Sequence, residues 1–369
     1  MIFIEKNGMA EKRNYGVDGL RILAMYMVVL LHMMGHGGIL AQVAGDGVKH
    51  AVAKYLDTAA YCAVNCYALI SGYVGVKRRF KWSRILSLWL QVAFYGVSIV
   101  CVLGMLRPGV IPRHAWIQGM IPVSNRNYWY YTAYFAMSFF IPFMNAILSS
   151  VSTKELRVAL IAAVCLFSTY PTILQTDRFW MVNGHSVWWL IILYFIGGYF
   201  RLYGNGSRII DTLKKHGIYV YVCATTIVWI SQILIADREI PYFFGGALQQ
   251  AFLFRYDSPL VLLQACALLL WSAERKVTER IGKYIGAIAP LTFGVYLIHE
   301  HPLVREELMT ASFSWIGRCE AFIIPFAVIG VCLSVFALCI LIESMRLRVF
   351  RWFKVKEICQ HIFESFGLS

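Results

Sequence analysis

Arg21 and His32 stand eleven residues apart in an otherwise apolar run, DGLRILAMYMVVLLH at residues 18–32. At about 100° per residue, eleven residues make three turns plus about 20°, so on a helix both side chains point the same way. The rise between them is roughly 16 Å, over half the thickness of a hydrocarbon core. One helix face would then carry a guanidinium at one end and an imidazole well along it. A guanidinium grips phosphates and carboxylates through paired hydrogen bonds. An imidazole moves protons near neutral pH, or carries a group covalently. Asp18, three residues before Arg21, is spaced to hold the guanidinium. The ordinary explanations are an arginine reaching for lipid headgroups and a histidine bonding a neighbouring helix. His32 and His36 also have the i, i+4 spacing of a metal pair, but no third ligand is near and Gly35, Gly37 and Gly38 mark a helix end. No metal site is expected.

The elements that hold these residues must lie in lipid. Of the 369 residues 59% are hydrophobic and 15% charged, whereas a soluble domain carries about a quarter charged residues. A span needs roughly 20 mostly apolar residues. Ten stretches qualify as candidates, near 19–40, 55–76, 85–106, 128–149, 158–174, 186–203, 217–236, 259–273, 285–303 and 319–343. The expectation is an all-α polytopic membrane protein with about ten transmembrane helices. No remaining connection is long enough to fold alone, so residues 1–369 read as a single integral membrane domain with a tail at about 344–369. That tail mixes basic and apolar residues and suits an amphipathic helix on the membrane surface. Pro108, Pro112 and Pro122 break the 107–127 loop, and Gly245 and Gly246 sit in the 237–258 loop.

The net charge of +14 does not imply a nucleic-acid partner, because its distribution is topological. With the N-terminus inside, the inner loops hold 23 Lys and Arg and the outer loops 10, as the positive-inside rule requires. Both termini are therefore expected in the cytoplasm. Basic residues ahead of an apolar run also suit a signal peptide, but Asp18, Arg21, His32 and His36 interrupt it and no clear small-residue cleavage site follows, so the helix is read as retained. The 10 Cys are scattered; Cys62 and Cys66 share a face and read as packing residues.

The segment RNYGVDGLRILAMYMVVLLH, with Arg13, Asp18, Arg21 and His32 in that order, resembles the opening of the acyltransferase type 3 family, bacterial membrane proteins that acylate surface polysaccharides and lipids. SGYVGVKRRFKWSR at 71–84 is similar to the family's small-residue turn and basic loop, with Lys81 where an arginine is more usual and Arg84 following. NYWYYTAYF at 127–135 and LTFGVYLIHEHPLVR at 291–305 look like the fourth and ninth spans of family members. The resemblance covers nearly the whole chain, and ten spans is the family's number.

The resemblance implies acyl transfer, usually of acetyl, from cytoplasmic acyl-CoA to a hydroxyl at the outer side. Acyl-CoA would be a donor substrate, with no bound cofactor. His32 would be catalytic, as general base or as transient acyl carrier. Arg21, Lys81 and Arg84 would meet the donor's phosphates, supported by Asp18 and Arg13. Trp129, Tyr296 and His299 would lie on the acceptor side, although a tyrosine and tryptophan belt marks any membrane interface. The acceptor would be a glycan or lipid-linked saccharide of the cell envelope, and the location a bacterial inner membrane. Buried charge would serve a transporter or flippase of a lipid-linked glycan or small solute equally well, but no inverted repeat is visible in the sequence. Fusing a reporter active only outside the cytoplasm to Ser369 should give no signal; a strong signal would require an odd number of spans.

Overall fold

α1 (Tyr15–Gly35) is the inner pillar of the bundle. In its most apolar stretch 61% of the residues are buried, against 22–44% in the other helices of spanning length. Its start is fixed by Asn14, whose side chain accepts the Val17 N–H at 3.1 Å. The computed structural model describes residues 13–107, 113–121, 123, 128–236, 238–243 and 247–367. The loop prolines Pro108, Pro112 and Pro122, and Gly245 and Gly246, lie outside these.

Around α1 stand α2 (Gly47–Ala60), α3 (Ala63–Gly75), α4 (Trp82–Leu106), α5 (Trp129–Ser138), α6 (Ile141–Ser150), α7 (Thr153–Val164) and α8 (Val187–Tyr203). They are followed by α9 (Arg208–Ile235), α10 (Pro259–Ala273), α11 (Glu279–Ile288), α12 (Thr292–His299), α13 (Ile324–Trp352) and α14 (Val355–Ser365). Among the described residues there is no strand beyond one isolated bridge between Pro241 and Ala247. The chain is thus all-α and polytopic. Among the described residues six helical segments are long and apolar enough to cross a membrane: α1, α4, Thr153–Leu174, α9, Glu279–His299 and α13. α5 and α6, bent by 58° at their junction, make a seventh if counted as one span.

The ten expected stretches all fall on helix, but length does not establish ten spans. The 55–76 stretch breaks at Tyr61 and Cys62 into α2 and α3. α8 has 17 residues and α10 has 15, short of the roughly 20 that a straight crossing takes. The expected 285–303 span ends at His299. The last span runs on to Trp352, so Arg346, Arg348 and Arg351 belong to α13 rather than to a tail beginning at 344. Only α14 remains as a tail helix, entered through a left-handed turn at Lys354, and it packs on α4.

Short helices can sit inside such a bundle because their backbones approach closely. A Cβ on Gly72 of α3 would fall 1.9 Å from the Tyr194 carbonyl oxygen of α8, and one on Gly197 of α8 would fall 2.1 Å from the Leu69 carbonyl oxygen. Gly16 meets the Ser272 carbonyl of α10 in the same way. Close crossing of small residues replaces the hydrophobic drive that lipid cannot supply between helices.

Three buried polar nodes then set the helices that carry the site. Asn65 of α3 donates to the Tyr256 carbonyl at 2.7 Å and accepts the Trp189 indole N–H at 3.0 Å. Tyr128 donates to the Leu297 carbonyl at 2.8 Å, tying the start of α5 to α12. The fully buried Glu343 of α13 receives Tyr95 at 2.6 Å and Gln91 at 3.1 Å from α4, and Arg346 one turn on. Every lone pair that matters on this carboxylate is used, as a buried ion pair requires. Gly294 of α12 passes directly over it, leaving no room for a side chain.

Gly72→Ala should lower the melting temperature and accumulation in membranes, by an overpacking cost of about 1–3 kcal/mol. Gly330→Ala, where nothing lies within 4 Å, should be neutral or slightly stabilising. Thermal unfolding in detergent compares the two, and equal behaviour would mean that the α3–α8 crossing is not tight.

Candidate active site

His32 lies near the end of α1 and lines a narrow apolar cavity of about 40 Å³ with Met25, Val28, Tyr67, Trp129, Tyr130, Tyr256 and Tyr296. Its Nδ1 is 2.9 Å from Nε2 of His299 on α12. His299 Nδ1 lies 2.6 Å from the Val295 carbonyl, which only accepts, so that nitrogen carries the hydrogen. A neutral His299 then offers a lone pair at Nε2, and His32 must donate to it from Nδ1. This leaves His32 Nε2 unprotonated, as the basic nitrogen of the ring. One backbone carbonyl thus fixes the tautomers of two histidines in series.

Glu300, directly after His299, is buried, and its Oε2 stands 3.1 Å from His32 Nδ1. Its other oxygen receives Arg305 at 3.1 Å. The Nδ1 side of His32 is thus flanked by both the His299 ring and the Glu300 carboxyl. The arrangement is a base, an orienting ring and a carboxylate held in turn by a guanidinium, which suits transfer of a proton from a hydroxyl.

At the other end of α1, Asp18 accepts from Arg21 at 2.8 Å and is also paired with Arg13. Arg21 opens into a cavity of about 290 Å³ that it lines with Arg78, Arg79, Lys81, Arg84 and Tyr134. A second cavity of about 190 Å³, lined by Arg13, Asp18, Lys77, Arg78 and Arg201, shares Arg78 with it. Burial, then the nearby Arg21 and Arg84 guanidinium groups, pull Arg78 below its ordinary value, with Asp18 acting the other way. So many cations facing one hollow are relieved by an anionic ligand with several charges. Between this mouth and the His32 cavity stand Tyr67, which donates to the Arg21 carbonyl at 2.9 Å, and the stacked pair Tyr130 and Tyr134.

The residues singled out from the sequence therefore fall into two groups. Arg13, Asp18, Arg21, Lys81 and Arg84 gather at the basic mouth, and His32, Trp129 and Tyr296 line one cavity. His299 was expected on the acceptor side; the structure puts it behind His32, in hydrogen-bond contact with the ring. Glu300 and His301, at the end of the expected 285–303 stretch, are both buried, Glu300 as the cap of α12. Glu300, Arg305, Arg78 and Tyr130 were not singled out for these places. The signal for Glu300 was present, since an acidic residue directly follows the span histidine in YLIHEH and is expensive there. Among the described residues no group of three or more His, Cys, Asp or Glu is arranged to hold a metal ion.

Comparison with protein families settles the class. The acyltransferase domain family, type 3, matches residues 14–344. The chain belongs to this family. It is a membrane acyltransferase. No curated protein and no solved structure gives a match. The matched stretch contains the His32 cavity and, apart from Arg13, the basic mouth.

His299→Ala should lower the acyl-transfer rate by about 10- to 100-fold, because the His32 tautomer is no longer fixed. His299→Gln, whose amide oxygen can accept from His32 Nδ1, should recover part of the loss. Rates measured at equal protein level in membranes decide this, and an unchanged His299→Ala rate would remove His299 from the mechanism.

Proposed function

We propose that this protein moves an acyl group, acetyl foremost, from acyl-CoA bound at the basic mouth to a hydroxyl of a cell-envelope glycan or lipid-linked saccharide. The observation that carries the reading is the single face of α1. Arg21 faces a cation-lined hollow, and roughly 16 Å along the same face His32 enters an apolar cavity with one ring nitrogen left basic. A nucleotide thioester has the matching form, with charged phosphates at one end and a reactive acyl group at the end of a long arm.

In this reading Arg21, Arg78, Lys81 and Arg84 hold the phosphates, and the arm passes the Tyr67, Tyr130 and Tyr134 rings to bring the thioester beside His32. His32 Nε2 either takes the proton of the acceptor hydroxyl or first accepts the acyl group itself. His299 holds the ring, and Glu300 stabilises it when charged. Trp129 and Tyr256, stacked with centroids 5.8 Å apart, supply an aromatic wall on which a sugar ring could lie. The charge distribution of the loops supports placement in a bacterial inner membrane with both termini in the cytoplasm.

Transfer of label from radioactive acetyl-CoA into envelope glycan, in membranes with and without the protein, tests the reading directly. His32→Ala should abolish transfer, with at least a 10²-fold loss, while the protein still inserts and accumulates. His36→Ala should keep substantial activity. Arg78→Ala and Arg84→Ala should raise the donor KM by about tenfold to a hundredfold, and Lys81→Ala less. If both histidine variants retain full transfer, the assignment is wrong; if only His36→Ala is dead, the wrong histidine has been chosen.

A further inference from the structure

Nine buried side-chain polar atoms make no hydrogen bond among the described residues, and two of them, the hydroxyls of Tyr130 and Tyr296, belong to residues that line the His32 cavity. Tyr296 is only 5% exposed. Amide N–H groups of Tyr130 and Tyr131, in the first turn of α5, point at the Tyr296 oxygen without completing a hydrogen bond. An amide can only donate, so the proton of the phenol stays unused either way. The two rings meet edge to face with centroids 6.4 Å apart at 82°, and the Tyr296 ring stands 6.3 Å from the ring of His299. Tyr67, which shares the cavity, is already committed to the Arg21 carbonyl.

An unpaired buried hydroxyl is unfavourable in the resting protein. Two of them, in one otherwise apolar pocket beside a basic imidazole, form an arrangement that is completed only when an acceptor atom arrives. We infer that Tyr130 and Tyr296 are catalytic residues, whose O–H groups donate to the carbonyl oxygen of the acyl group while it carries negative charge. This rests on the acyl-transfer reading above and adds the electrophilic half of the site.

The step balances as follows. The acceptor oxygen bonds to the carbonyl carbon while its proton passes to His32 Nε2, and the carbonyl electron pair moves onto the oxygen between the two phenols. That pair returns as the carbon–sulfur bond breaks, and the sulfur takes the proton from His32. Ester and free thiol leave. The phenols end with the protons they began with. If the acyl group rests first on His32, the same two donors serve both tetrahedral stages. Donors fixed in advance at the place where charge develops, inside a dry cavity, are worth more than the same donors in water.

The test uses the full-length protein in membranes, with acetyl-CoA as donor and the membranes' own envelope glycan as acceptor. Tyr296→Phe and Tyr130→Phe should each lower kcat by about 10²-fold with donor KM unchanged. Because each substitution removes an unpaired buried hydroxyl, the melting temperature should hold or rise. Difluorotyrosine installed at Tyr296 should move the alkaline limb of the kcat profile to lower pH, a shift that a packing role would not produce. Phenylalanine variants that keep kcat within twofold overturn the inference, as does a fall in melting temperature, which would show the hydroxyl to be structurally paired. Wild-type membranes with no transfer would instead sink the acyl-transfer reading itself. Active wild type with indifferent phenylalanine variants would sink only the role of the tyrosines.

Discussion

The hydrogen bond between His32 and His299 is the constraint on which the arrangement turns. It crosses between two helices inside an apolar bundle, and it holds only if the rings keep opposite roles at the shared contact. The Val295 carbonyl sets that choice from one side. Everything that places α12 against α1 therefore bears on the chemistry: the tie from Tyr128 to Leu297, and the close passage of Gly294 over the Glu343 carboxylate. In lipid no water is available to repair a misaligned donor, so helix position and ring tautomer are one problem rather than two.

The same reasoning explains why polar residues gather on α1, the most enclosed of the long helices. At its start Asp18 is shared by two guanidinium groups, which keeps Arg21 aimed at the hollow instead of at the nearest headgroup. Further along, the face is apolar until His32. The helix thus separates strong charge from a histidine in an apolar cavity by distance alone, with the tyrosine rings of Tyr67, Tyr130 and Tyr134 as the partition.

Much of this was legible in the sequence, and the failures have identifiable causes. Arg21, His32 and the basic 77–84 loop were found because charge in an apolar run and helical phase are local properties. The role of His299 was missed because the ring it meets lies 267 residues away, and no periodicity encodes such a partner. Glu300 was passed over because the end of α12 could not be placed to within a residue. Length does not establish a span at 55–76, where hydropathy is continuous but the backbone breaks at Tyr61 and Cys62. The tight crossings at Gly72 and Gly197 depend on carbonyl positions that only the folded bundle defines.

The left-handed turn at Lys354 sends α14 back against α4, and Lys356 and Gln360 come to rest on the same hollow as Lys81, Arg84 and Gln91. All other residues lining that hollow are synthesised some 270 positions earlier. This hollow therefore stays open on one side until α14 has been made and has folded back onto α4.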